Sequence, residues 1–193
     1  MNLPNKLTLL RILLVPVFMV LAGLSQYGTP DFSAGLYLAA GLVFAAASFT
    51  DFLDGYLARK WGMVTDFGKF ADPLADKLLT TVAFLYMLRD GVCSPVVLAV
   101  IVAREFAVSG LRMIAAGAPG GKVIAANIWG KAKTVLQMLT IILYYLSAAL
   151  ASPASIGGVM LMAWALCWLV ALVTALSGAR YLWDNRQFIN TAK

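Results

Sequence analysis

Six apolar runs, near residues 7–24, 36–58, 73–89, 95–116, 133–151 and 156–177, are separated only by short stretches of Gly, Pro, Ser or charged residues. Each is close to the ~20 residues that a helix needs to cross a hydrocarbon core of ~30 Å. Lipid offers backbone polar groups no partner, so such runs can cross only as helices that satisfy themselves. Composition decides that they are spans and not a buried soluble core. The chain is 62% hydrophobic and 12% charged, against about a quarter charged in a soluble domain, too little to cover its apolar surface. The expected fold is one all-α integral membrane domain over residues 1–193, with six transmembrane helices and a polar active-site cavity at the cytoplasmic side.

Lys and Arg set the expected orientation. When six helices cross in turn, both ends of the chain share one side. Lys6, Arg59, Lys60, Lys69, Lys122, Lys131, Lys133, Arg180, Arg186 and Lys193 fall there, while the opposite loops hold only Arg89. Cytoplasmic loops collect Lys and Arg, so both termini are expected in the cytoplasm. The net charge of +6 comes from scattered residues without interleaved aromatics, so nucleic acid is not an expected partner. The first run contains Pro16 and has no small-x-small site after Leu21, which favours a retained helix over a cleaved leader. Histidine is absent, which removes a Ser-His-Asp triad and imidazole-bound zinc. Cys93 and Cys167 form no C-x-x-C, so neither a redox motif nor a metal knuckle is supported. Chemistry is left to carboxylates, Lys and Arg.

Five of the nine acidic residues, Asp51, Asp54, Asp66, Asp72 and Asp76, fall between positions 51 and 76. Asp51 and Asp54 are three apart and Asp72 and Asp76 four apart, so each pair lies on one helix face, separated by ~4.5 to 6 Å of rise. Two antiparallel helices joined by a turn over residues 62–69 would aim all four carboxylates at one point. A single Asp would read as a helix cap or a partner for a boundary Lys. Four together repel one another and cost several kcal/mol in desolvation unless something positive sits between them. A pair of divalent ions does this most simply, and oxygen donors without Cys or His suit Mg²⁺, Mn²⁺ or Ca²⁺. Two such ions ~4 Å apart form a clamp for phosphoryl transfer. Gly55 and Ala58 clear one helix flank, and Arg59 offers a planar fork to phosphate or a base edge. A cation transporter would place carboxylates near the midplane in paired, broken helices, and here the cluster lies toward the boundary with no second copy.

The stretch reads D51-F-L-D54-G55-Y-L-A58-R59, eight residues, then G68-x3-D72-x3-D76. It resembles the signature of the CDP-alcohol phosphotransferase family, D-x2-D-G-x2-A-R-x8-G-x3-D-x3-D, with every fixed position filled. Eight fixed positions arise by chance in such a chain on the order of 10⁻⁸ of the time. The resemblance implies transfer of a phosphatidyl or phosphoalcohol group from a CDP-linked donor to a hydroxyl, with release of CMP. It assigns Asp51, Asp54, Asp72 and Asp76 to metal, Asp76 also as the base for the acceptor hydroxyl, and Gly55, Ala58, Arg59 and Gly68 to the cytidine diphosphate. Two ions, Mg²⁺ or Mn²⁺, are the expected cofactors.

The segment A-R104-E105-F-A-V-S-G-L-R112, the later G130-K131-A-K133-T134, and L3-P-N5-K-L-T8-L-L-R11 resemble the bacterial branch of that family whose donor is CDP-diacylglycerol and whose acceptor is sn-glycerol 3-phosphate. That branch would place Asn5 and Thr8 near the cytidine pocket and the protein in a bacterial plasma membrane. Other acceptors within the family are an inositol phosphate, serine or phosphatidylglycerol. Charges inside apolar runs are costly and tend to be functional. Arg104 and Glu105 can pair locally, whereas Arg112, Lys131 and Lys133 have fewer neighbours of opposite charge. These three, with Arg104 and Arg180, are the expected binding groups for the acceptor phosphate. The resemblance also implies a homodimer among membrane lipids, and Gly110, Gly117 and Gly178 are candidates for close helix packing.

Overall fold

The computed structural model describes the backbone of residues 3–27, 29–61, 66–117 and 128–186, and the side chains of residues 6–27, 29–50, 75, 77–115 and 128–186. Six helices account for nearly all of it: α1 (Leu3–Leu24), α2 (Pro30–Trp61), α3 (Asp66–Arg89), α4 (Pro95–Gly117), α5 (Ile128–Leu150) and α6 (Ile156–Asp184). The described residues contain no strand. The shortest helix has 22 residues, ~33 Å at 1.5 Å per residue, so each is long enough to span a bilayer. Among the described residues α1, α2, α5 and α6 are also apolar enough to cross. α4 carries Arg104, Glu105 and Arg112 within its length, the internal charges already singled out.

The helices start earlier or run longer than the apolar runs. α2 begins at Pro30 and α3 at Asp66, six and seven residues before their runs, because a polar turn inside a long helix interrupts hydropathy without interrupting the hydrogen-bond ladder. The expected turn over residues 62–69 is therefore shortened: Asp66 to Lys69 are helical, and residues 62–65 lie outside the described residues.

α1 packs against α2 and α3, α5 against α2 and α6, and α4 against α6 and α3. Phe18 of α1, fully buried, sits at the centre of this arrangement. Its ring centroid lies 6.0 Å from Phe44 of α2, 6.1 Å from Tyr86 of α3 and 5.3 Å from Tyr145 of α5, tilted and edge-on geometries that aromatic quadrupoles favour. At Gly41, a Cβ would stand 3.1 Å from the Tyr145 Cβ, so the glycine sets how closely α2 and α5 approach. Gly178 plays the same part between α6 and α4, as expected, but Gly110 has open space around its missing Cβ and makes no packing contact there among the described residues. Gly117 lies outside the described side chains. Elsewhere Leu13, Val20, Leu42, Leu161 and Leu172 are more than half exposed, an apolar exterior suited to lipid.

One end of the bundle is closed by Asp90, in the turn after α3. Gly91 has φ +78°, which ends α3 in a left-handed residue and turns the chain toward α4. Asp90 accepts hydrogen bonds from Arg89 Nη2 at 2.6 Å, Arg89 Nε at 2.9 Å, Tyr144 Oη at 2.8 Å and Tyr37 Oη at 3.2 Å. Arg89 Nη1 also donates to the Ala22 carbonyl at 2.7 Å, where α1 ends. Thus the end of α1, the start of α2, the end of α3 and the far part of α5 meet here. A cavity of about 290 Å³ opens beside them, lined by Gln26, Tyr37, Arg89, Asp90, Tyr144 and Met160 among others.

Candidate active site

The signature falls at the other end. Asp51, Asp54, Gly55, Ala58 and Arg59 lie on the last three turns of α2, and Gly68, Asp72 and Asp76 on the first three turns of α3. Both segments are continuous helix, so the three- and four-residue spacings are true helical repeats. The side chains of these eight residues and of Asn5 lie outside the described residues, as do those of the rest of the expected turn. Thr8 is described and is buried, with Arg11 fully buried one turn along α1.

What the described side chains build at this end is a basic cluster around one carboxylate. Glu105 of α4 pairs with Arg104 Nη1 at 3.3 Å, with Lys77 Nζ of α3 at 4.0 Å, and with Lys133 of α5, which donates to Glu105 Oε1. Lys77 also donates to Ser109 Oγ, and Arg104 Nη2 donates to Ser177 Oγ of α6 at 3.1 Å. A Cβ at residue 178 would come within 2.9 Å of Arg104 Cγ, so Gly178 is what lets the Arg104 stem lie against α6. Two turns further along α4, Arg112 Nε donates to Tyr181 Oη at 3.2 Å. Its guanidinium carbon stands 5.7 Å from the Tyr181 ring centroid, within cation–π range.

Of the residues expected to hold an acceptor phosphate, Arg104 and Lys133 are brought together. Arg112 stands apart on the same helix, and Lys131 is exposed on α5. Arg180 is 62% exposed and pairs with Asp184 Oδ2 at 3.8 Å, outside this cluster. The expectation that Lys133 has few opposite charges is corrected: its partner Glu105 lies 28 residues away in sequence and meets it only because α3, α4 and α5 converge here. The Arg104–Glu105 pair is local as expected, yet it is one edge of a network drawing on four helices, α3, α4, α5 and, through Ser177, α6. Lys77, Ser109, Ser177 and Tyr181 were not among the expected site residues. Lys77 carried the one usable signal, since it directly follows the last fixed Asp of the signature; the others have none.

The donor set suits a divalent metal. The acids outside the 51–76 segment are Asp31, Asp90, Glu105 and Asp184, and no group of three or more His, Cys, Asp or Glu forms among the described residues. Lys77, the cation nearest in sequence to Asp76, is turned to Ser109 and Glu105 on α4. Its charge is shared with another carboxylate, and the all-oxygen chemistry of the four aspartates is the kind that suits a hard divalent ion.

The sequence profile of CDP-alcohol phosphatidyltransferases matches residues 1–185. Relatives named CDP-diacylglycerol–glycerol-3-phosphate 3-phosphatidyltransferase occur in several bacteria. The one from Bacillus subtilis is 38% identical over 99% of this chain and 98% of its own. Those from Pseudomonas fluorescens and Rickettsia typhi are 37% and 35% identical, over 100% and 93% of this chain and 90% and 94% of theirs. With the signature complete on α2 and α3 and the match running nearly end to end, this chain belongs to the CDP-alcohol phosphatidyltransferase family.

Proposed function

We propose that the protein transfers the phosphatidyl group of CDP-diacylglycerol to sn-glycerol 3-phosphate, giving phosphatidylglycerol phosphate and CMP. The near full-length similarity to relatives bearing that name supports the reaction. The observation that carries the acceptor is the basic cluster of Lys77, Arg104 and Lys133 at the signature end of the bundle. An anionic acceptor gains charge-assisted contacts there that a neutral one cannot. Divalent-metal dependence is general in the family; here Asp51, Asp54, Asp72 and Asp76 would hold the metal, Mg²⁺ or Mn²⁺ and two ions on this reading, which supplies charge neutralisation at the donor pyrophosphate.

The remaining work falls to the chain. Asp76 takes the proton from the acceptor hydroxyl, whose oxygen forms a new bond to the phosphatidyl phosphorus as the bond to the CMP oxygen breaks. Gly55, Ala58 and Gly68 let the donor's diphosphate approach the helix backbones, while Asn5, Thr8 and Arg59 position the cytidine end. The donor's acyl chains stay in lipid along the apolar exterior, so the headgroup alone has to enter the site. The protein acts as a homodimer in the bacterial plasma membrane, with the signature end and both termini in the cytoplasm. Purified protein given CDP-diacylglycerol, Mg²⁺ and, separately, glycerol 3-phosphate, an inositol phosphate, serine or phosphatidylglycerol should release CMP preferentially with the first. Chelation should abolish turnover, and Mg²⁺ or Mn²⁺ should restore it. Preference for another acceptor, or full activity in excess chelator, refutes the corresponding half of the proposal.

A further inference from the structure

Glu105 contributes no donor to an anionic acceptor, yet three cationic side chains of this end converge on it. Lys77 comes from α3, Arg104 from α4 and Lys133 from α5, and each pairs with the same carboxylate. Side-chain exposures fall from 34% at Lys77 to 17% at Glu105, 11% at Arg104 and 5% at Lys133, so the group is largely out of solvent. Without the carboxylate, three cations on converging helices repel and the long stems take many rotamers. With it, they are held a few ångströms apart around one negative charge, and the described side chains of the cluster carry three cations to one carboxylate, a balance that suits an anionic ligand. Ser109 on α4 and Ser177 on α6 fix the outer ends, binding Lys77 and Arg104. Arg104 Nε is buried with no hydrogen-bond partner among the described residues, a donor still available to an incoming anion.

We propose that Glu105 is a positioning residue that assembles Lys77, Arg104 and Lys133 into a ready-made site for the acceptor's phosphate, and that Lys77 is a binding residue of that site. Lys77 adjoins Asp76 on α3, so the same network ties the phosphate site to the helix bearing the proposed base. This inference rests on the proposed reaction with glycerol 3-phosphate. It states where specificity for an anionic acceptor resides: a polar acceptor lacking a phosphate cannot make the charge-assisted contacts that these three poorly solvated cations offer.

The test uses the full-length protein in lipid or detergent, and it starts from measurable turnover of the unaltered protein with glycerol 3-phosphate; absence of that turnover refutes the proposed reaction itself. Given turnover, Glu105→Gln should raise KM for glycerol 3-phosphate at least about tenfold while KM for CDP-diacylglycerol stays within about twofold, the pattern of a lost contact to one substrate. Glu105→Asp, which keeps the charge, should recover a large part of the loss. Inorganic phosphate, competing with glycerol 3-phosphate, should inhibit the Glu105→Gln protein about tenfold more weakly, by the same charge-assisted contacts. A fall in KM for glycerol 3-phosphate on Glu105→Gln would show the carboxylate to be a competitor of the substrate and overturn the inference. An equal rise in both KM values would show a merely structural role and also overturn it. Should Glu105→Gln not yield folded protein, Lys77→Met decides, because Lys77 is the most exposed member: a selective rise in the acceptor KM supports the site, and an unchanged one removes it.

Discussion

Asp90 and Glu105 are both carboxylates on which several helices converge, yet they stand at opposite ends of the bundle and in opposite electrostatic situations. Asp90 meets one cation, Arg89, in a two-pronged pair, and two neutral hydroxyls, Tyr37 and Tyr144. Its side chain is 5% exposed, its oxygens are well supplied with donors, and the local charge sums to zero. Glu105 meets three cations and no hydroxyl donor among the described residues. A balanced group ties the ends of α1 and α3 to α2 and α5 and asks for nothing more. A carboxylate outnumbered by cations among the described residues is costly for folding alone and becomes reasonable, on the proposed function, when a ligand adds negative charge. On the proposed function, the difference separates an end built for stability from an end built for binding, although both would be described as buried ion pairs.

The largest effect should come from the signature end. Asp76→Asn should cut turnover about 10² to 10⁴-fold, the usual contribution of a general base, with smaller loss of donor affinity. Near-normal turnover in that variant would remove Asp76 from the mechanism and leave Asp51, Asp54 and Asp72 as a purely metal-holding set. Next is the closed end. Asp90→Asn leaves Arg89 without its counter-charge and should lower the unfolding free energy by about 2 to 4 kcal/mol, less than for a fully buried orphan because Arg89 keeps some solvent access. Denaturation in SDS, measured beside the KM values, checks it: both KM values should stay near those of the unaltered protein, and a selective loss of acceptor affinity would dissolve the contrast between the two ends.

Arg112→Ala should raise KM for glycerol 3-phosphate about ten- to a hundredfold if its guanidinium reaches the acceptor, while Tyr181→Phe, which only releases it, should have a smaller effect in the same direction. Steady-state kinetics on the two variants together would show whether the site extends two turns along α4 beyond Glu105. Smaller still, Tyr37→Phe removes one of several donors to Asp90 and should destabilise by about 1 kcal/mol without altering kinetics. The least effect is expected from Arg180→Ala, where the exposed pair with Asp184 contributes about 1 kcal/mol or less and the acceptor KM should move by about twofold at most. A large change there would restore Arg180 to the phosphate site, from which its placement in the structure separates it.

The all-helical fold and the chemistry were legible because both are written locally. Apolar runs of spanning length leave the backbone no alternative to helix in lipid. The signature residues from Asp51 to Asp76 follow one another within the helical periods of α2 and α3, so spacing alone grouped them. Helix starts were less legible, since Pro30 and Asp66 open their helices in polar sequence that hydropathy reads as loop. The partners of single charges could not be read at all. Lys133 meets Glu105 across 28 residues, Arg104 meets Ser177 across 73, and Tyr144 meets Asp90 across 54. Nothing in a one-dimensional pattern distinguishes Lys133, pinned inside a network, from Lys131, exposed two residues earlier. Side chains two apart on a helix point about 160° away from each other, and which direction faces the bundle is set by the packing of α5 on α2 and α6. Local periodicity thus determined the helices and the signature, whereas helix convergence decided which charges are balanced, which are in excess, and at which end.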